Sequence, residues 1–213
     1  MSIFIKKTLW TFFFVLIGAI GVSMGLKAAV GVGAWDAFSQ SFSYITSIKV
    51  GTFSMMLNIS CVLLQLILLK RAFKPLAFLQ IGMAILLGMM VNLVYYDIMS
   101  TWVISSLLLR YVMLISSLLI VIFALSMIMS IDFLSFPLEA ACMVVSTKTN
   151  ISFSKLRQGV DVVCIVIAVG ISLLYQVPFT VREGTIFGMI MFAPLLSYGI
   201  VKAKPFVKRF GFL

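Results

Sequence analysis

The sequence predicts an all-α membrane protein: a polytopic helix bundle of six transmembrane helices, built as two inverted three-helix repeats with a short broken or re-entrant segment in each. Three observations predict it. Hydrophobic residues make up 63% of the 213 residues and charged residues only 10%, too few to cover the surface of a soluble domain of this size. The apolar residues come in blocks of about 20, the length needed to cross a bilayer core about 30 Å thick. The chain also matches itself when displaced by 103 residues, as Pro75 and Pro178 illustrate.

The six spans can be marked in order. They run from about Leu9 to Leu26, Thr52 to Leu69, Leu76 to Tyr96, Trp102 to Ile131, Gly159 to Tyr175 and Gly184 to Val201. Lys6 and Lys7 before the first apolar run imitate a signal peptide, but the run is too long for one and further spans follow it, so it reads as an uncleaved first helix. Two stretches are left over, Lys27 to Gly51 and Asp132 to Lys155. Each mixes Gly, Ser and Thr into moderately apolar sequence. They read as half-helices or re-entrant segments, tolerated at depth only where protein or a watery cavity covers them. The whole chain, residues 1–213, is then one membrane domain, with repeat 1 at about 8–100 and repeat 2 at about 103–203.

Orientation follows from the basic residues. With six alternating spans, Lys6, Lys7, Lys70, Arg71, Lys74, Lys148, Lys155, Arg157, Lys202, Lys204, Lys208 and Arg209 fall on one side. Only Lys27, Lys49, Arg110 and Arg182 fall on the other. Twelve against four puts both termini in the cytoplasm of a multi-pass cell-membrane protein. The net charge of +10 is thus spent on membrane anchors and does not call for nucleic acid. The bilayer is the expected partner, joined by an unknown small molecule or ion and by a homodimer mate or another membrane protein.

The repeat is ungapped from Leu16 to Pro75. Leu16-Ile17 falls on Leu119-Ile120, Ser23-Met24 on Ser126-Met127, Asp36-Ala37 on Glu139-Ala140, Asn58 on Asp161 and Cys61 on Cys164. Three spans per repeat is an odd number, so the halves sit upside down relative to each other. Secondary transporters use this plan, with the binding site formed by broken helices at the repeat interface.

Only six acids are present: Asp36, Asp97, Asp132, Glu139, Asp161 and Glu183. A carboxylate at membrane depth usually faces a cavity or a partner. Asp36 and Glu139 hold matching places in the two broken segments, and inverted symmetry brings such places toward one central region. They read either as a carboxylate pair lining a cation, proton or amine pathway, or as two interfacial acids capping short helices, Asp36 beside a Trp35 anchor. The candidate lining residues are Asp36, Glu139, Trp35, Gly33, Asn58 and Asp161. Arg157 and Asp161, four apart, form a pair on one helix face that reads equally as structural. Asn58 is expected to hydrogen-bond a neighbouring helix. Gly31 and Gly33 either open backbone amides to a ligand or make a turn. Cys61, Cys142 and Cys164 read as buried free thiols without metal-ligand spacing. There is no histidine, catalytic triad, phosphate loop or metal cluster in the sequence, so neither an enzyme nor a cofactor is expected.

Gly31-Val-Gly-Ala-Trp-Asp36-Ala-Phe, with Gly51 opening the second span, resembles the signature of the YczE/YitT-type bacterial membrane proteins. Arg157 with Asp161, Gly184-Thr185-Ile186 and Ala193-Pro194 are similar to that family's second half. The resemblance covers roughly residues 10–200. The family often has proline before the tryptophan; here that place is Ala34, while the second repeat has Pro137. The resemblance implies the fold and a membrane location and carries no established activity. The functional expectation is a small-molecule or ion permease working by alternating access between the repeats. The alternative is a non-transporting regulator, assembly factor or substrate-capture subunit.

Overall fold

A computed structural model describes residues 2–209. The protein is a polytopic membrane helix bundle, with eight α-helices among those residues: α1 (Ile3–Ala28), α2 (Ala34–Thr46), α3 (Val50–Leu69), α4 (Leu79–Asn92), α5 (Leu107–Ile131), α6 (Pro137–Thr149), α7 (Phe153–Tyr175) and α8 (Glu183–Arg209). Counting the 3-10 and π turns that lengthen α3 and α4, six helices are long and apolar enough to span a membrane. The two left over, α2 and α6, have 13 residues each. At 1.5 Å per residue they reach about 20 Å, short of the roughly 30 Å core.

The spans run further than the apolar blocks. Helix α1 begins at Ile3 rather than near Leu9, because Ser2 accepts the N–H of Ile5 and caps it. Helix α7 begins at Phe153 rather than Gly159, and α8 continues to Arg209 rather than Val201. The added turns carry Lys6, Lys7, Lys155, Arg157, Lys202, Lys204 and Lys208. Hydropathy alone stops at such residues, but helices continue through them into the interface. Helix α5 errs the other way, starting at Leu107 rather than Trp102.

The 103-residue displacement reappears in the backbone. It carries α2 onto α6 at both ends (34 to 137, 46 to 149) and the start of α3 onto that of α7 (50 to 153). It also relates the left-handed residues that close the helices: Ala29 to Asp132, and Ser47 to Asn150. Left-handed backbone disfavours residues with a Cβ, so its recurrence at matched places reflects one chain path used twice.

Packing follows the same pairing. Helices α1 and α5 lie together at the centre, where a Cβ on Gly21 would stand 3.2 Å from the Ser117 carbonyl oxygen and one on Gly25 2.7 Å from the Ser117 hydroxyl. Helix α4 packs on α1 as α8 packs on α5, and α2 packs on α7 as α3 packs on α6. One correspondence fails: α3 and α4 pack closely, whereas α7 and α8 barely touch. In the first half a Cβ on Gly51 would collide with the Gly88 carbonyl, so the two backbones meet directly. Asn92 clamps them, accepting the Gly51 N–H at 2.9 Å and donating to Thr52 at 2.8 Å. The matching places in the second half are Ser154, Met191, Leu195 and Lys155. These provide neither the bare backbone nor the amide clamp, so α8 stands away from α7.

Candidate functional site

Helices α2 and α6 each carry an acid in the third position of the first turn, where a carboxylate complements the partial positive charge of the helix N-terminus. In α2 this is Asp36, after the N-cap Gly33; in α6 it is Glu139, after the N-cap Phe136. Pro137 suits the first turn of α6, since its missing N–H would have had no helical partner there.

The start of α2 reaches α6 through one side chain. Trp35, next to Asp36, packs against a buried cluster of Cys61, Leu138, Ala141 and Cys142, three of them on α6. Gln65 on α3 donates both to Gln80 at 3.0 Å and to the carbonyl of Pro137 at 3.2 Å, tying α3 and the α4 segment to the start of α6. From the other half, Thr180 donates to the Ala37 carbonyl at 3.0 Å, Gly184 N–H to Val30 at 3.0 Å and Arg182 to Ala29 at 2.9 Å. Gly31 has φ of 112° and lies against Thr185 so closely that a Cβ would stand 2.6 Å from that residue's backbone nitrogen. Each broken segment is thus fixed by residues of the opposite half.

The charge centre stands on α7. Arg157 reaches across to Glu139, with Nε 3.4 Å from Oε1, and pairs with Asp161 one turn along its own helix. These side chains keep between 10% and 21% of their exposure. Asp36 stands on α2, which packs against α7, the helix that carries Arg157 and Asp161. No hydrogen bond or ion pair within the described residues ends on the Asp36 carboxylate, which folds back beside Gly33. The Trp35 indole nitrogen is also buried without a hydrogen-bond partner. A buried donor left unmade costs on the order of 1–3 kcal/mol. One guanidinium therefore pairs with two carboxyl groups, Glu139 and Asp161, while the Asp36 carboxylate and the Trp35 N–H remain unused.

The sequence-predicted residues divide accordingly. Asp36, Glu139, Asp161, Arg157, Trp35 and Gly33 come together. Trp35 is half-buried, its ring packed against residues of α3 and α6. Asn58 is buried, yet its amide donates at 2.9 Å to the Ser54 carbonyl of its own helix, where a bond to a neighbouring helix was expected. The ion pair of Arg157 with Glu139 had no signal in the spacing, because its partners are 18 residues apart on different helices. All three cysteines are free and buried. Among the described residues no group of three or more cysteines and acids is close enough to hold a metal ion.

Residues 5–199 match a family described as a family of unknown function, DUF6198. The chain belongs to the DUF6198 family. That match runs from the first turn of α1 to the second half of α8, so the matched region of this chain includes both short helices and Asp36, Glu139, Arg157 and Asp161. No curated protein and no solved structure matches the chain.

Proposed function

We propose that this protein is a small permease for a cation or protonated amine. Three-helix halves of opposite orientation exchange access to the centre formed by Asp36, Glu139, Arg157 and Asp161. The observation that carries the reading is that two short helices each bear an acid in the first turn, Glu139 paired with Arg157 and Asp36 unpaired on α2, which packs against the same α7. Asp36 and Glu139 each lie ten residues from the C-terminal end of their short helix, about 15 Å along its axis and half the thickness of a bilayer core. With those ends at opposite membrane surfaces, both acids stand near the midplane. Discontinuous helices meet substrates there in inverted-repeat transporters. Three carboxylates against one guanidinium leave excess negative charge in a medium that penalises it, and a bound cation or proton offsets that excess. No catalytic role is assigned to the cluster. The twelve-to-four basic asymmetry supports a cytoplasmic location for both termini. The likeness to the YczE/YitT type is consistent with this membrane reading and adds no activity to it.

One observation favours a second reading, a non-transporting membrane subunit. The separation of α7 from α8 leaves a flank that the first half closes on itself, and a partner helix could fill it. Thermal unfolding of the purified protein against a panel of monovalent cations and primary amines separates the two. A ligand that binds the folded state raises the unfolding temperature by mass action. The permease reading expects a rise that disappears in Asp36→Asn. No rise for any cation or amine in the panel would favour the partner reading.

A further inference from the structure

An opening lies between α5 and α8, away from the charge centre. Its volume is about 470 Å³, within the roughly 300–1,000 Å³ typical of small-molecule sites. The walls include Leu119, Phe123, Leu195 and Phe206, and they are almost wholly apolar. The floor is bare because of Gly199, where a Cβ would collide with the Ser126 hydroxyl. One end of the groove is basic. Lys202 lines it and also lines an adjoining opening of about 330 Å³ shared with Pro205, Phe206 and Arg209. Lys202 Nζ stands 5.6 Å over the Tyr198 ring. Among the described residues, neither Lys202 nor Arg209 has a carboxylate within 4 Å.

The position of the basic end along α8 decides what fits. Lys202 follows Glu183 by 19 residues, about 28 Å of helix, close to the thickness of the hydrocarbon core. With Glu183 at one edge of the core, Lys202 and Arg209 stand at the other edge, at headgroup level, and the apolar groove runs inward beneath them. The matching places on the first half hold Tyr96 for Gly199 and Met99 for Lys202. That half has neither the bare floor nor the cation.

We propose that the α5–α8 groove seats one anionic phospholipid, its phosphate between Lys202 and Arg209 and an acyl chain along Leu119, Phe123 and Leu195. Basic recesses between membrane helices recognise anionic headgroups, and each cation near the surface contributes enough to discriminate against a zwitterionic lipid.

Native mass spectrometry tests this on protein exchanged with mixed vesicles of phosphatidylglycerol and phosphatidylcholine in equal amounts. The expected result is one retained phosphatidylglycerol per chain, in preference to phosphatidylcholine. Lys202→Ala with Arg209→Ala lowers that retention about tenfold or more, while Lys70→Ala with Lys74→Ala leaves it unchanged. Leu195→Trp, which narrows the groove and keeps both cations, also lowers it, and this variant decides the matter if the double alanine variant fails to fold. Equal retention of both lipids, undiminished retention in Leu195→Trp, or displacement of the lipid by millimolar inorganic phosphate would overturn the proposal. The last outcome would indicate a simple anion site.

Discussion

Arg157 on α7 joins Glu139 on α6 across 3.4 Å and pairs at the same time with Asp161 on its own helix. One guanidinium therefore connects a broken helix to a full span. Removing it would leave two carboxylates facing each other with Asp36 close by. Loss of one partner from a partly buried pair costs on the order of 3 kcal/mol. Arg157→Ala should accordingly lower the unfolding temperature by several degrees in mild detergent. Glu139→Gln added to Arg157→Ala should recover part of the loss. Arg157→Lys should recover little, since an ammonium lacks the planar fork that meets two carboxylates in different directions. Thermal unfolding of the native protein and these three variants checks all three statements.

The glycines predict opposite outcomes in the two halves. Gly88→Ala should destabilise by about 1–3 kcal/mol through overpacking, because its Cβ would collide with the carbonyl oxygen of Gly51. Gly170→Ala on α7 should be neutral or stabilising by up to about 1 kcal/mol, as nothing lies within 4 Å of its Cβ position. If both variants lost stability alike, the open flank between α7 and α8 would be wrong.

Gln65 fixes the start of α6 from outside that helix. Gln65→Leu removes its bonds to Gln80 and to the Pro137 carbonyl. Interhelical hydrogen bonds in membranes are worth about 0.6 kcal/mol on average, so the global loss should be small. The local effect should be larger: amide exchange over residues 134–142 should accelerate while α1 and α5 keep their protection. Unchanged exchange in that segment would contradict the tether.

How much of this was legible depends on the range of each interaction. The broken segments were legible because Gly, Ser and Thr interrupt the hydropathy, and because Asp36 and Glu139 recur at one displacement. The pair of Arg157 with Asp161 was legible as neighbours on one helix face. Glu139 with Arg157 was not, since nothing local links position 139 to position 157. Asn58 misled because a buried amide has two ways to be satisfied, and Ser54 one turn back offered the nearer carbonyl. The separation of α7 from α8 was hidden for a different reason. Sequence symmetry predicts equal packing, while the contact depends on Gly51, Gly88 and Asn92, whose mates Ser154, Met191 and Leu195 look harmless in a membrane helix.

The turn between α3 and α4 checks the topology. The orientation proposed from the basic asymmetry has Lys70, Arg71 and Lys74 in the cytoplasm together with both termini. In a variant lacking Cys61, Cys142 and Cys164, Ala72→Cys should resist a membrane-impermeant thiol reagent in intact cells and react after lysis. Reaction in intact cells would reverse the orientation.

The permease reading depends on Asp36 and Glu139 more than on any other residues. Its most direct test is the charge moved by reconstituted protein on a solid-supported membrane when a stabilising cation or amine is applied. The account predicts a transient current in the native protein, abolished in Asp36→Asn and in Glu139→Gln although both variants reconstitute normally. Asp97→Asn should conduct as the native protein does, since Asp97 lies in the π turn that ends the α4 span, outside the Arg157 cluster. Currents of native size in both Asp36→Asn and Glu139→Gln would contradict it.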